Sequence, residues 1–372
     1  MKLGVNLLWL RPGGVGGAEE HICRHLIGLK EVVPPDIDVT LYALRRFRRA
    51  HPEIEFPIVA APIGRGRRAL RIATESTWLA ARTRKLDIIH HAGGTVPGVA
   101  RVPSVVTVHD LQYLTYPATF STVKLAYLRL MVPRSVRRAR IVCVPSTYVR
   151  STVIDRLGTA ASKVVVVPHG IPTTERASEA TPAHELRARL ALPGPVVVFP
   201  AITYTHKNHI VLIEALARLA RAQPDLRLVL LGGRGPAEAD LNTHIDRLGV
   251  RSLVVRPGRV SDADRNGLYA VATALAFPSR YEGFGAPVLE AMRFGCPVIA
   301  ADATALPEVV GDAGILLPPD EPDAWAKAID QLIVDSDERD RLIAAGHVRA
   351  ARFTAAAAGS SLLAAYVAAA EL

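Results

Sequence analysis

Short apolar, β-branched runs recur along this chain, each ending in a turn and leading into a segment of helical composition. Leu3–Leu10, Val39–Leu44, Asp87–His91, Pro103–Leu111, Ile141–Pro145 and Val164–Val167 form a first series. After a polar connection over residues 173–195, which contains a short helix, the alternation restarts at Val196–Ala201. It continues through 226–232, Ala274–Phe277 and Cys296–Ala300. Such runs read as buried strands. A series that stops and begins again predicts two doubly wound, Rossmann-like α/β domains. A chain of 372 residues is long enough to give each of them a core.

The densest chemistry lies in Pro278–Glu290, read as Pro-Ser-Arg-Tyr-Glu-Gly-Phe-Gly-Ala-Pro-Val-Leu-Glu. The run before it predicts a buried strand, and Val288–Met292 has helical composition. Gly283 and Gly285 leave the intervening turn free to bend. Pro287 suits the first helical position, where its missing N–H costs nothing. The free N–H groups of that helix start, with the positive end of its dipole, make a site for a phosphate or sugar oxygen. Glu282 stands just before this site and Glu290 one turn inside the helix. One carboxylate can reach a group outside the loop while the other accepts hydrogen bonds from a diol. The pattern predicts a sugar-nucleotide site.

These two carboxylates, eight residues apart around an aromatic residue, two glycines and a proline, resemble the Glu-x₇-Glu signature of the retaining family-four glycosyltransferases. The resemblance extends from the glycine loop near residue 16 to the C-terminal helix. It implies the GT-B fold, an α/β architecture of two Rossmann-like domains facing a central cleft, with the C-terminal helix crossing back to the first domain. The domains are then residues 1–170 with 355–372, on the acceptor side, and 171–354, which bind the nucleotide sugar. It also implies retaining, metal-independent transfer of a hexose from a nucleotide diphosphate sugar, with no cofactor beyond that co-substrate.

Site residues follow position by position. Lys207, at a loop-to-helix junction, is a natural point charge for a pyrophosphate. The family's arginine a few residues earlier is missing, since Ala201, Ile202 and Thr203 stand there. His206 or Arg280 is expected to substitute. The resemblance implies that the Gly16-Gly17 backbone approaches the donor phosphates, that Asn208 adjoins Lys207, and that Arg259 belongs to the base-accepting segment Val255–Ser261. It implies sugar contacts from Glu282 and from the backbone of Phe284, Gly285 and Ala286, and ribose hydroxyls on Glu290. His109, in a His-Asp pair at a strand's end, contacts the sugar near the reacting carbon. His109, Glu282 and Lys207 are thus the catalytic candidates, and no metal ligands are assigned. His90 and His91 also sit at the end of a strand, where open α/β sheets bind ligands.

Other readings of the same residues compete. The N-terminal strand, glycine loop and helix could be a dinucleotide fingerprint. Counting from Gly14, however, the third glycine is replaced by Glu19, and Arg45-Arg46 stand where an acidic residue would bind ribose. Arginines there would suit NADP. A GT-B phosphorylase, or a non-enzymatic nucleotide- or polyanion-binding module, would share the same loops. Among donors, His109-Asp110-Leu111 and His206-Lys207-Asn208-His209 look like bacterial mannosyl- and rhamnosyltransferases of envelope polysaccharides. GDP-mannose is therefore expected ahead of a UDP-sugar or dTDP-rhamnose, with a glycan or lipid-linked acceptor.

Charge is unevenly placed. Residues 1–170 carry 25 Lys and Arg against 11 Asp and Glu, a net +14, whereas residues 171–372 carry 20 against 24, a net −4. Such asymmetry points to an anionic partner for the first half. Nucleic acid is not expected, for there is no aromatic-basic interleaving or recognisable motif. An anionic membrane surface, or an acceptor on a lipid phosphate, fits better. Clusters at Arg45–Arg49 and Arg65–Arg68 and the segment 111–140, with Tyr113, Tyr116, Phe120 and Tyr127 among arginines, are the candidates for contact. Pro133 argues against one long helix there. No apolar segment reaches the roughly 18–20 residues of a membrane span. The start shows no signal-peptide pattern, and Cys23, Cys143 and Cys296 are widely separated. A cytoplasmic protein, peripheral on the inner face of the membrane, is expected.

Overall fold

The computed structural model describes residues 1–13, 16–64, 68–171 and 180–372. Gly14 of the glycine loop, Arg65 to Arg67 of the second basic cluster and the start of the connection lie outside the described residues. The chain divides into two compact units, Met1–Pro172 with Phe353–Leu372, and Thr173–Arg352.

The first unit is built on a seven-stranded sheet of order β3-β2-β1-β4-β5-β6-β7. Its strands are β1 Lys2–Asn6, β2 Asp38–Ala43, β3 Ile58–Ala60, β4 Ile88–His91, β5 Ser104–Thr107, β6 Ile141–Val144 and β7 Val164–Val166. Every pairing is parallel. The chain winds outward from β1 to one edge, then returns to β4 on the other side, so the switch of direction lies between β1 and β4. The apolar run Leu3–Leu10 is only partly strand. The Asn6 side chain accepts a hydrogen bond from the Leu8 N–H at 3.1 Å and turns the chain. Leu7, Leu8 and Leu10 are apolar because they fill the core, not because they extend the strand.

Two helices, Gly17–Val32 and Ala355–Glu371, pack along each other over this sheet. Ile171 donates its N–H to the Phe353 carbonyl at 2.7 Å, and Thr354 caps the last helix by accepting from Ala357 N–H at 3.0 Å. Leu362, Ala365, Tyr366 and Ala369 thereby join Leu3, Val5, Leu26 and Leu29 in one core.

One expectation fails here. Pro133 does not divide its segment, because a single helix runs from Thr122 to Arg138 with the proline inside it. The carbonyl deprived of its partner belongs to Arg129, which is exposed, so water can serve it. Ser135, on the buried side, accepts a hydrogen bond from Val96 N–H at 2.8 Å and pins the helix beyond the proline.

The second unit carries a six-stranded sheet of order β10-β9-β8-β11-β12-β13, again with parallel pairings. The strands are β8 Val196–Pro200, β9 Arg227–Leu231, β10 Val254–Gly258, β11 Ala274–Phe277, β12 Val298–Ala301 and β13 Ile315–Leu317. Trp325, Tyr269, Phe199 and Phe277 are its largest fully buried side chains. Its switch point lies between β8 and β11. The loops leaving these two strands are therefore neighbours, and ligands of open α/β sheets bind at such a crevice.

Candidate active site

Lys207 and Glu282 meet at the β8/β11 switch point. The chain leaves β8, makes a 3₁₀ turn over Thr205–Lys207, and passes through Asn208 at φ 57° into the helix His209–Leu219. Asparagine tolerates this left-handed conformation better than most residues. Its side-chain amide donates to the Pro319 carbonyl at 2.6 Å and to Asp320 Oδ1 at 3.2 Å, which fixes the turn. Lys207 Nζ then donates to Glu282 Oε1 at 2.5 Å, with the two side chains 20% and 13% exposed. The loop after β11 is stitched to the same turn, since Arg280 N–H donates to the His206 carbonyl at 2.8 Å. Glu282 N–H donates to Thr304 Oγ1 at 3.0 Å.

The helix Ala286–Arg293 starts at this loop. Gly285 precedes it at φ 100°, a backbone conformation that side chains disfavour, and an added Cβ would lie 2.6 Å from Leu306 Cδ2. Phe284 is buried beneath the turn and Ala286 opens the helix. The first N–H groups of any helix lack intrahelical acceptors, so the helix start offers hydrogen-bond donors beside the Lys207–Glu282 pair. Glu290, one turn on, is buried, with Arg265 Nε 3.9 Å from its Oε2. Arg259, just past β10, is exposed beside Gly233.

The expected replacement cations behave differently from each other and from the expectation. His206 is buried and stacks on Tyr204 at 5.6 Å between ring centroids. Burial, followed by the neighbouring Lys207 charge, holds its pKa at about 3, so it brings no positive charge at neutral pH. Arg280 pairs with Asp320 at 2.5 Å. Lys207 is thus the cation placed at the head of the loop. Sequence reasoning missed Arg265, Thr304 and Asp320, which hold the two glutamates and the turn. It also passed over Gly232-Gly233-Arg234-Gly235 after β9, where a glycine cluster at a strand's end was the available signal. Arg256, beside that loop, grips Glu238 at 2.5 and 2.8 Å and holds its carboxyl at about 2.

The first unit carries the remaining predicted residues. Gly16 stands at φ 63° before the opening helix, and Gly17 begins it. A Cβ at either would meet nothing within 4 Å. Glu19, in the place of the third fingerprint glycine, accepts two hydrogen bonds from Gly13 N–H at 2.9 and 3.1 Å and so ties the loop to the helix. His109 follows β5, and its Nε2 donates to the Ala92 carbonyl at 3.0 Å. Burial lowers its pKa, so the ring is neutral. Asp110 Oδ1 accepts from Gln112 N–H at 2.9 Å and shapes the loop backbone.

His90 and His91 are not at a ligand surface. Both are buried in β4. His90 bridges Tyr366 Oη at 2.8 Å and Thr107 Oγ1 at 2.7 Å, and His91 Nδ1 lies 3.2 Å from the Asn6 amide nitrogen. They are core polar groups; both His90 nitrogens are satisfied, across the sheet and by the C-terminal helix, whereas His91 is held through Nδ1. The arginines at 45, 46, 48 and 49 are exposed around a fully buried Phe47, the arrangement of a solvated surface turn.

Residues 184–349 match the family Glycosyl transferases group 1, and residues 15–175 match Glycosyltransferase Family 4. The O-antigen chain mannosyltransferase B of Escherichia coli is 30% identical over 68% of this chain and 66% of its own length. The alpha-D-kanosaminyltransferase of Streptomyces kanamyceticus is 29% identical over 71% of this chain and 70% of its own. The chain thus spans about two thirds of the length of these curated relatives. Among solved structures, Anabaena Alr3699/HepE in complex with UDP and glucose aligns with a TM-score of 0.77. That alignment covers 99% of both chains at 23% identity. No helix among the described residues is long and apolar enough to cross a membrane.

Proposed function

We propose that this chain, which belongs to the family-four glycosyltransferases of GT-B fold, transfers a hexose with retention from a nucleotide diphosphate sugar to a glycan or lipid-linked acceptor. The observation that carries this reading is the Lys207–Glu282 pair beside the start of the helix Ala286–Arg293. In the transfer, the bond from the anomeric carbon to the diphosphate oxygen breaks and negative charge builds on the leaving group. Lys207, the helix start and the Gly16-Gly17 backbone stabilise that charge. An acceptor hydroxyl oxygen bonds to the anomeric carbon on the same face, and its proton passes to the departing phosphate oxygen. Glu282 and the backbone from Phe284 to Ala286 hold sugar hydroxyls, Glu290 accepts from the ribose diol, and His109 contacts the sugar. Asn208 sets the lysine's turn, and Arg259 lies on the segment assigned to the base. No step in this scheme calls on a metal or another cofactor.

GDP-mannose is the favoured donor, on the mannosyltransferase relative and the two histidine-bearing segments; the Anabaena structure holds UDP and glucose and keeps a UDP-sugar as the second reading. A thermal-shift panel of GDP-mannose, UDP-glucose and dTDP-rhamnose decides between them, because a ligand that binds the native state raises the melting point. A tenfold excess over Kd adds about 1.4 kcal/mol. No shift with any of the three would remove the reading. A glycosidic product of the same anomeric configuration as the donor, seen by proton NMR, supports retention, and cleavage of a disaccharide by orthophosphate would favour a phosphorylase.

Peripheral contact with an anionic membrane forms the second part of the proposal. Val123 and Leu130 are 78% and 69% exposed on the helix Thr122–Arg138, which also carries Lys124, Arg129, Arg134 and Arg137. No Asp or Glu occurs between Asp110 and Asp155. At about 1 kcal/mol per basic residue, Arg134→Glu with Arg137→Glu weakens co-sedimentation with phosphatidylserine vesicles at least about thirtyfold, and added salt weakens the native chain likewise. Equal binding to neutral vesicles would exclude this contact.

A further inference from the structure

Three histidines from distant parts of the first unit converge at the carboxyl edge of its sheet. His21 lies in the first turns of the helix Gly17–Val32, His109 follows β5 and His169 follows β7. Their ligand-capable ring nitrogens all lie within 4.8 Å of one another. The His21 and His169 ring centroids are 3.5 Å apart, and those of His21 and His109 5.2 Å. Here His21 Nδ1 is buried with no hydrogen-bond partner among the described residues.

The tautomers favour ligation. His109 Nε2 faces the Ala92 carbonyl, which only accepts, so that nitrogen carries the proton and Nδ1 bears the lone pair. Metal-bound imidazoles are held in this way, with the second N–H donated to a backbone carbonyl. His25 Nδ1, one turn along the helix, is hydrogen-bonded to the His21 carbonyl at 3.0 Å and braces the turn. The cluster holds no carboxylate, so it does not suit calcium or magnesium; three imidazoles suit zinc and its neighbours in the first transition row. Metal–nitrogen bonds of about 2.0–2.1 Å at a tetrahedral angle set imidazole centroids about 5 Å apart, so the His21 and His169 rings splay to share an ion while the His21–His109 spacing already fits. His109 and His169 are only partly buried.

We infer that His21, His109 and His169 form a binding site for one divalent transition-metal ion of the zinc class. Resting on the sugar-contacting role proposed above for His109, an ion there inhibits transfer by holding that imidazole.

The test titrates the full chain with Co²⁺ and reads visible absorption. One ion per chain with intense tetrahedral bands, displaced by Zn²⁺, is expected. His21→Asn and His169→Asn each weaken binding at least about tenfold, whereas His184→Asn, on an exposed surface, leaves it unchanged. Absence of the bands, or binding that neither variant alters, overturns the site. Should both variants misfold, ¹⁵N shifts of the histidine rings in the native chain decide: Zn²⁺ moves three of the twelve, and shifts elsewhere or none refute the site. Zinc that binds without slowing transfer keeps the site and removes His109 from the sugar.

Discussion

Lys207→Ala lowers transfer turnover at least about tenfold, a loss of about 1.4 kcal/mol of transition-state binding, and Glu282→Gln does the same. The reasons differ, and the experiment separates them. Lys207 is the cation assigned to the leaving diphosphate, with His206 neutral and Arg280 committed to Asp320. Removing it also leaves the Glu282 carboxylate, 13% exposed, without its partner. An unpaired charge in so closed a place costs stability, though less than in a dry core; about 1–2 kcal/mol is expected. Glu282→Gln removes the charge but keeps the shape, so it costs little stability while weakening the hold on the sugar. Lys207→Met with Glu282→Gln then recovers the stability lost in Lys207→Ala without recovering activity. Steady-state kinetics and urea unfolding of the four proteins check this. Normal turnover in a well-folded Lys207→Ala chain would end the assignment.

How much of this was legible in the sequence depends on distance along the chain. The strand Ala274–Phe277 and the helix start at Gly285-Ala286-Pro287 were legible because each is a local pattern, an apolar run closed by glycine and proline. The Lys207–Glu282 pair was not, although both residues were singled out. They are 75 positions apart, and only the crossover that sets β11 beside β8 brings them together. His90 and His91 misled because a strand's end looks the same in sequence whether a ligand or another helix covers it. Here Tyr366, 276 positions on, is the cover. Pro133 misled because its cost depends on whether water reaches one carbonyl, which composition does not reveal.

Gly28→Ala or Gly359→Ala lowers the stability of the first unit by about 3 kcal/mol, against the ordinary sign of such a change. In a helix interior, alanine is favoured over glycine by about 1 kcal/mol. At this crossing the contact decides instead. A Cβ on Gly28 would lie 1.7 Å from the Ala355 carbonyl oxygen, and one on Gly359 would lie 2.2 Å from the Gly28 carbonyl carbon. Both obstacles are backbone and cannot swing aside as a long side chain would, so the helices must part. Parting them loosens Leu362, Ala365, Tyr366 and Ala369 from the core and stretches the hydrogen bond between His90 and Tyr366. Overpacking of this kind costs typically 1–3 kcal/mol, and the lost burial adds to it. The double variant should cost less than the sum of the singles, because either methyl alone already separates the same two backbones. Ser360→Ala, on the exposed side of the same helix, should be neutral or slightly stabilising. Urea unfolding followed by circular dichroism reads all four, and a Gly28→Ala or Gly359→Ala chain as stable as the parent would show that the two helices do not meet at these glycines.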